Sequence, residues 1–265
     1  MPLPISRWFC STLDQLPRST LHEVLIAMAY SRAFFEFQLT FASRLAVKFD
    51  LSLADALYHY TTFTKSFDSG AWIDFLAGVH QAPDATTWIY EWYRAHQQPD
   101  PKPHDSQYDG HPLFGCFYFV LRDAHIIRPH FIQNDLPGMR PLSRARVAVR
   151  QAELSQMFAY IKQQVPTART VLGNSWMYNL EAYCRLYPRA YTQTMAVSIA
   201  EEFQFLALWG QCFDSRWQVR TDIAAELLRR VDALTDLADL RACFPYQILQ
   251  PHGAIDEFYA FYQVA

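Results

Sequence analysis

Glycine is scarce, with 8 in 265 residues. So few turn-formers exclude a glycine-rich loop that cradles phosphate, and they argue against an all-β fold full of tight turns. Neither a Walker loop nor Gly-x-Gly-x-x-Gly occurs. Charge is sparse as well: 18% of residues carry one, and the net charge is −3. No basic field exists to recruit nucleic acid, although aromatics able to stack on bases are plentiful. The five cysteines stand apart, at positions 10, 116, 184, 212 and 243. An odd, scattered set fits reduced thiols in the cytoplasm better than a disulfide framework. No apolar run approaches the roughly 20 residues of a membrane helix. Met1-Pro-Leu-Pro-Ile-Ser-Arg-Trp lacks the basic-then-apolar order of a signal peptide. His-Glu-x-x-His and Glu-x-x-His are missing, so no metal site is expected.

What the chain has instead is apolar bulk: 51% hydrophobic residues, including 20 Phe, 15 Tyr and 7 Trp. A large core follows, and disorder is excluded on composition. The first part reads as helices. Thr20-Leu-His-Glu23 has the capping-box pattern and opens a helical stretch to Phe49, with Leu25, Met28, Phe35, Leu39, Ala42 and Ala46 at helical spacing. Ser52-x-x-Asp55 caps a second helix, Asp68-Ser-Gly ends it, and Trp72 to Leu76 form a third. Pro83-Asp84 restarts the chain into a helix bearing Trp88, Tyr90, Trp92 and Tyr93. Residues 99–112 hold four prolines and no apolar period, which marks a linker. The predicted division is a helical subdomain at 1–98, the linker at 99–112 and an α+β domain at 113–265.

The strong β signal begins at Phe114-Gly-Cys-Phe-Tyr-Phe-Val-Leu121, an aromatic and β-branched run. Arg122 to Ala124 make a turn, and His125 to Ile132 return as the second strand. Pro129 cannot donate to a ladder, which predicts an edge or a bend there. Pro141-Leu-Ser143 starts a helix that runs to Val165, and Thr170 to Asn179 form a third strand running into a structured turn. Helices follow at 180–187 and 217–234, and 255–262 form a short amphipathic segment. Residues 197–209 fit a strand or a helix, since Phe203, Phe205, Ala207 and Trp209 alternate. The expected fold is α+β: a helical N-terminal subdomain, then a small mixed sheet with packed helices. Phe117, Phe119, Trp176 and Phe205 are its expected core.

Three groups carry possible chemistry. Arg128 and His130 share a strand face, with His130 placed to act as a general base in a cleft. Gly173-Asn-Ser175 is similar to a nucleophile elbow, but Met177 stands where that motif needs a small residue. Ser175, Trp176, Tyr178 and Asn179 read equally as the end of a strand and the cap of a helix. Arg140, Arg144, Arg146 and Arg150 crowd the start of the central helix, where its dipole disfavours cations. Either they hold an anion, or they pair with acids such as Asp135 and Glu153.

Ile126-Ile-Arg-Pro-His130 on a strand, Pro141-Leu-Ser143 before a helix, Ser175-Trp176 closing the next strand and Leu186-Tyr-Pro188 come in that order. This order resembles bacterial acyltransferase-like proteins with a helical N-terminal half and a GNAT-like C-terminal half, over residues 115–210. The resemblance implies a GNAT-like sheet, acyl transfer, and acyl-coenzyme A as the ligand. It implies His130 and Ser175 as catalytic residues, with Arg128, Trp176, Tyr178 and Asn179 lining the substrate site. The Arg/Gln-x-x-Gly-x-Gly/Ala loop with which GNAT enzymes hold pyrophosphate has no counterpart, and Leu136-Pro-Gly-Met-Arg140 does not match it. The alternative is a non-catalytic module that binds a small anionic ligand or a protein with the same sheet and arginines.

Overall fold

The computed structural model describes residues 31–63, 69–96, 107–108, 111–132, 134–135, 139–198, 203–214 and 218–264. Thr20–Glu23, Trp217 and most of the predicted linker lie outside them. The helical part comprises α1 (Arg32–Phe49), α2 (Leu53–Tyr60), α3 (Ser69–Gln81) and α4 (Ala85–His96). A short hairpin of β1 (Gln107–Tyr108) and β2 (His111–Pro112) leads to β3 (Phe117–Leu121) and β4 (Ile126–Phe131). Then come α5 (Val147–Gln164), β5 (Thr170–Leu172), α6 (Glu181–Cys184), α7 (Arg189–Gln193) and β6 (Ala196–Val197). The chain closes with α8 (Leu206–Trp209), α9 (Thr221–Ala233), β7 (Leu249–Gln250), β8 (His252–Ala254) and α10 (Ile255–Phe261). The fold class is α+β.

Local chemistry sets the helix ends. Ser52 Oγ accepts the Asp55 N–H at 3.0 Å and donates to the Asp55 carboxylate at 2.6 Å, so the cap predicted for α2 is formed. Asp84 accepts the Thr87 N–H at 3.1 Å and opens α4 after Pro83. The sheet order is β3–β4–β5–β8, with β4 and β5 parallel and the outer pairs antiparallel. The first strand starts three residues later than predicted. Gly115, at φ +62°, turns the chain, and Phe114 bridges back to Phe117. The third strand stops at Leu172, and a 3-10 turn over Trp176–Asn179 replaces its second half.

Two hydrophobic cores form, and they interleave along the chain. One is built on Ile127, Val171, Leu154, Phe158 and Phe258, where α5 and α10 cover one face of the sheet. The other joins Phe34, Phe35, Phe37 and Phe41 of α1 to residues 203–248. At its centre the buried Trp209 ring meets Phe37, Phe41 and Phe244 edge-on at 5.6, 5.0 and 5.3 Å. Its indole N–H donates to the Phe203 carbonyl at 2.6 Å. The ambiguous 197–209 stretch divides: strand at Ala196–Val197, helix at Leu206–Trp209. That helix corrects the expectation for Phe205, which is 43% exposed. Strand alternation would have buried it with Phe203 and Trp209, but it sits at the N-cap of α8 and faces out. Phe117 and Phe119 are buried as expected, and Trp176 is half-buried.

Trp209→Ala is expected to lower unfolding free energy by about 3–5 kcal/mol, because it leaves a cavity among three rings and an unpaired carbonyl. Urea denaturation measures it, and a loss under 1 kcal/mol would mean the indole does not join the two segments.

Candidate functional site: a fork between parallel strands

β4 lies inside the sheet and not at its edge, which corrects the reading of Pro129. The bend alternative is closer, because β4 and β5 pair only at Ile126–Thr170 and Ile127–Val171. Beyond these two positions β4 follows β3, while the chain after β5 follows the β8 side through Gly173 N–H to Pro251 and Ser175 N–H to Leu249. The Ile132 N–H donates to Cys116, on the β3 side, and His125 accepts from Thr170 on the β5 side. By alternation, the missing N–H of Pro129 faces β5, where that strand has already diverged. Proline there costs no ladder bond. The result is a fork, with Pro129 and Phe131 on one edge and Leu172 and Asn174 on the other.

Tyrosines pack the core side of this fork. Tyr178, Tyr183, Tyr187 and Tyr191 are all buried. Tyr178 and Tyr191 share a hydrogen bond between hydroxyls at 2.8 Å, and Tyr187 donates to Tyr183 at 2.8 Å. A Cβ on Gly173 would stand 2.4 and 2.5 Å from the Tyr178 and Tyr191 oxygens, so only glycine lets the phenols reach the strand. Tyr183 in turn meets Phe131 edge-on at 6.0 Å. Burial raises the Tyr178 and Tyr187 hydroxyls well above their usual range and Tyr183 to about 12, so these are neutral phenols. Only the recurrence of tyrosine every four or five residues hinted at this cluster.

On the opposite face of the sheet Arg128 and His130 lie side by side on β4, as predicted. His130 stacks on its cross-strand partner Tyr118 with centroids 4.8 Å apart and planes at 15°. His111 of β2 stacks on Tyr118 as well, at 5.9 Å. Burial lowers the His130 pKa from 6.5 to about 4, helped by the charges of Arg128 and His111. The imidazole is therefore unprotonated at neutral pH, yet only a weak base.

Ser175 does not join it. Ser175 Oγ accepts the Met177 N–H at 3.1 Å, and no hydrogen bond links Ser175 to His130 among the described residues. Its neighbours serve the same seam between 175–179 and 246–250. Trp176 stacks on Tyr246 at 5.8 Å, and Asn179 Nδ2 donates to the carbonyls of Trp176 and Gln247 at 2.7 and 2.8 Å. Of the predicted substrate set, the structure brings Arg128 beside His130 and Tyr178 to the fork, while Trp176 and Asn179 hold the chain.

The arginine cluster divides. Arg150 is fully buried, its Nη2 donating to both Asp135 oxygens at 2.6 and 2.5 Å and its Nη1 to Glu153 Oε2 at 2.5 Å. Nε donates to the Pro141 carbonyl at 3.2 Å, and Arg146 shares Asp135 at 2.5 Å. Glu153 accepts the Cys116 N–H at 3.2 Å, which ties the Gly115 turn to α5. Burial pushes the Glu153 carboxyl up, against the hold of Cys116 N–H and Arg150, and pushes the Cys116 thiol up to about 12. The anion beside Arg146 and Arg150 is thus the chain's own Asp135. Arg140 and Arg144 remain exposed.

No group of three His, Cys, Asp or Glu side chains able to hold a metal occurs among the described residues. No helix there is long and apolar enough to cross a membrane. The chain matches no protein-family model, no curated protein and no solved structure.

Two outcomes are expected. Arg150→Met should cost about 3–5 kcal/mol, because two carboxylates lose their buried partner, whereas the exposed Arg140→Ala should stay within about 0.5 kcal/mol. Equal losses in chemical denaturation would place the network at the surface. The second concerns pH. The folded pKa of His130 lies below its unfolded value, so the unfolded chain binds more protons between about 6.5 and 4, and stability falls with acidification through that window. From pH 7 to 5 the loss from this group is at most about 2 kcal/mol. His130→Phe keeps a ring on Tyr118 and should flatten the pH–stability curve in that interval, which an unchanged curve would contradict.

Proposed function

We propose that this chain is an acyltransferase-like, GNAT-like protein that binds a small anionic or thioester ligand at the β4–β5 fork. The observation that supports this is the divergence of two parallel strands after two residue pairs. Diverging strands present backbone donors and acceptors that an extended, amide-bearing ligand arm can satisfy, as an added strand would. Acyl-coenzyme A is the ligand of that kind implied by the resemblance over residues 115–210. Arg128 and His130 stand on the other face of the same strand, and Arg140 and Arg144, which precede α5, are exposed cations. The low net charge speaks for no nucleic-acid partner, and the four free cysteines among the described residues speak for a cytoplasmic location.

A non-catalytic reading of the same site has its own support. His130 is a weak base, and Ser175 Oγ is committed to a backbone N–H. General-base catalysis needs a pKa nearer the working pH and a reachable proton. We therefore favour binding over turnover, and we assign no acyl transfer to a His130–Ser175 pair.

A thermal-shift series with acyl-coenzyme A, free coenzyme A, nucleotides and inorganic phosphate tests this. Acyl-coenzyme A at about a hundred times its dissociation constant should stabilise the fold by about 2.7 kcal/mol, while phosphate alone should not. His130→Phe should preserve the shift, and thiol release should show no turnover. Absence of any shift with thioesters at millimolar concentration would sink the ligand assignment, and turnover abolished by His130→Phe would sink the non-catalytic reading.

A further inference from the structure

A groove in the helical half lies open along α1. Leu39, Ser43 and Val47 stand one turn apart on the same face of that helix, and with Asp232 of α9 they line a groove of about 600 Å³. Leu39 is half-buried, but Val47 is 88% exposed, an unusual place for a large apolar side chain. The two cations of the groove are not equally matched. Arg44 pairs with the Asp232 carboxylate, whereas Lys48 donates to the Asp232 backbone carbonyl at 2.7 Å. Lys48 has no carboxylate partner among the described residues, so one positive charge in the groove stays uncompensated. Apolar surface beside an unmatched charge is the mark of a surface that meets another segment of chain.

We propose that the occupant of this groove is the chain's own residues 14–23, folded back along α1 as a strap. Ser31, just before α1, has φ −69° and ψ 154°, which is extended backbone. The helical stretch expected from Thr20 to Phe49 therefore breaks at Ser31, and the residues ahead of it leave the axis of α1. Their length fits the groove. Leu39 and Lys48 lie about 12 and 26 Å along the helix from Ser31. At the same rise, residues 23 to 14 lie about 12 to 26 Å back from it. A more extended chain covers that distance with residues to spare. Their chemistry fits too. Residues 14–23 offer Leu16 and Leu21 for the apolar floor, and Asp14, Arg18 and Glu23 give them a net charge of −1. Asp14, at the far end of the segment, supplies the carboxylate that Lys48 lacks. The seven residues 24–30 act as a tether and hold the segment at roughly millimolar effective concentration, an advantage that no separate partner has.

Photo-crosslinking of the full chain reads the occupant directly. The probe is p-benzoylphenylalanine placed at Val47, whose exposure lets it be replaced without loss of far-UV circular dichroism. After irradiation, peptide mass spectrometry should find the probe joined to residues 14–23 of the same chain. The same probe at Ile73 of α3, itself 68% exposed, should not capture them. Lys48→Glu sets a like charge against Asp14 and should cut the yield about threefold, and adding Asp14→Lys should restore it. Adducts between chains on a denaturing gel would mean that a second copy fills the groove, and they overturn the proposal. Capture of another segment of the same chain, equal capture from positions 47 and 73, or no adduct at all overturns it as well.

Discussion

One buried guanidinium holds the sheet half of this protein together. Arg150 sits with no exposed surface between Asp135 and Glu153. A charge in that position is tolerable only if its donors are met with good geometry. Three residues meet them from different places: Asp135 in the loop after β4, the Pro141 carbonyl, and Glu153 in the next turn of α5, which in turn accepts the backbone N–H of Cys116. The strand start, the connection after β4 and the helix are thereby fixed to one another. Gly115 is part of the same arrangement, because a Cβ there would stand 2.0 Å from the Glu153 carboxyl. The helix dipole, which disfavours cations at this end of α5, is outweighed by two carboxylates at hydrogen-bond distance.

The helix start and the fork are built differently. An anion site needs cations with donors to spare. Arg150 gives its donors to Asp135, Glu153 and Pro141, and Arg146 gives one N–H to the same Asp135, so the anion beside these two side chains is supplied by the chain itself. The fork is organised otherwise. Pro129 carries no N–H into it, Gly173 carries no side chain, and four tyrosines supply bulk with neutral hydroxyls at its inner wall. Phenylalanines would pack as well, but their edges could not hydrogen-bond to one another beside the strand. The stacked His111, Tyr118 and His130 rings cover the other face, where desolvation keeps His130 uncharged.

The seam between the two cores has the same economy of parts. Residues 175–179 leave the sheet and meet 246–250, which arrive from the helical core. A serine hydroxyl, an asparagine amide and a tryptophan ring make that join. Each is a residue type that also serves in active sites, and each is used here for its backbone hydrogen bonds or its stacking area. Ser175 stands just after a strand, the place of a nucleophile in an elbow and equally the place of a cap, and here it caps the turn through the Met177 N–H.

Sequence by itself determined the α+β class, the capped helix at Ser52, the β3–β4 hairpin, the burial of Phe117 and Phe119, and the common strand face of Arg128 and His130. These follow from periodicity, capping and turn chemistry, which act over a few residues. It also named Asp135 and Glu153 as partners for the arginines, because opposite charges close in sequence suffice to suggest a pair. Tertiary structure alone decided that Arg146 and Arg150 take those partners, that β4 is central, and that residues 203–248 return to the helical core. Phe205 shows the limit: its alternation with Phe203 and Ala207 was genuine, but the packing of Trp209 against α1 favoured a helix there. Such choices depend on surfaces far apart in the chain meeting in space, and local preference of a few tenths of a kcal/mol per residue cannot oppose the burial of one tryptophan.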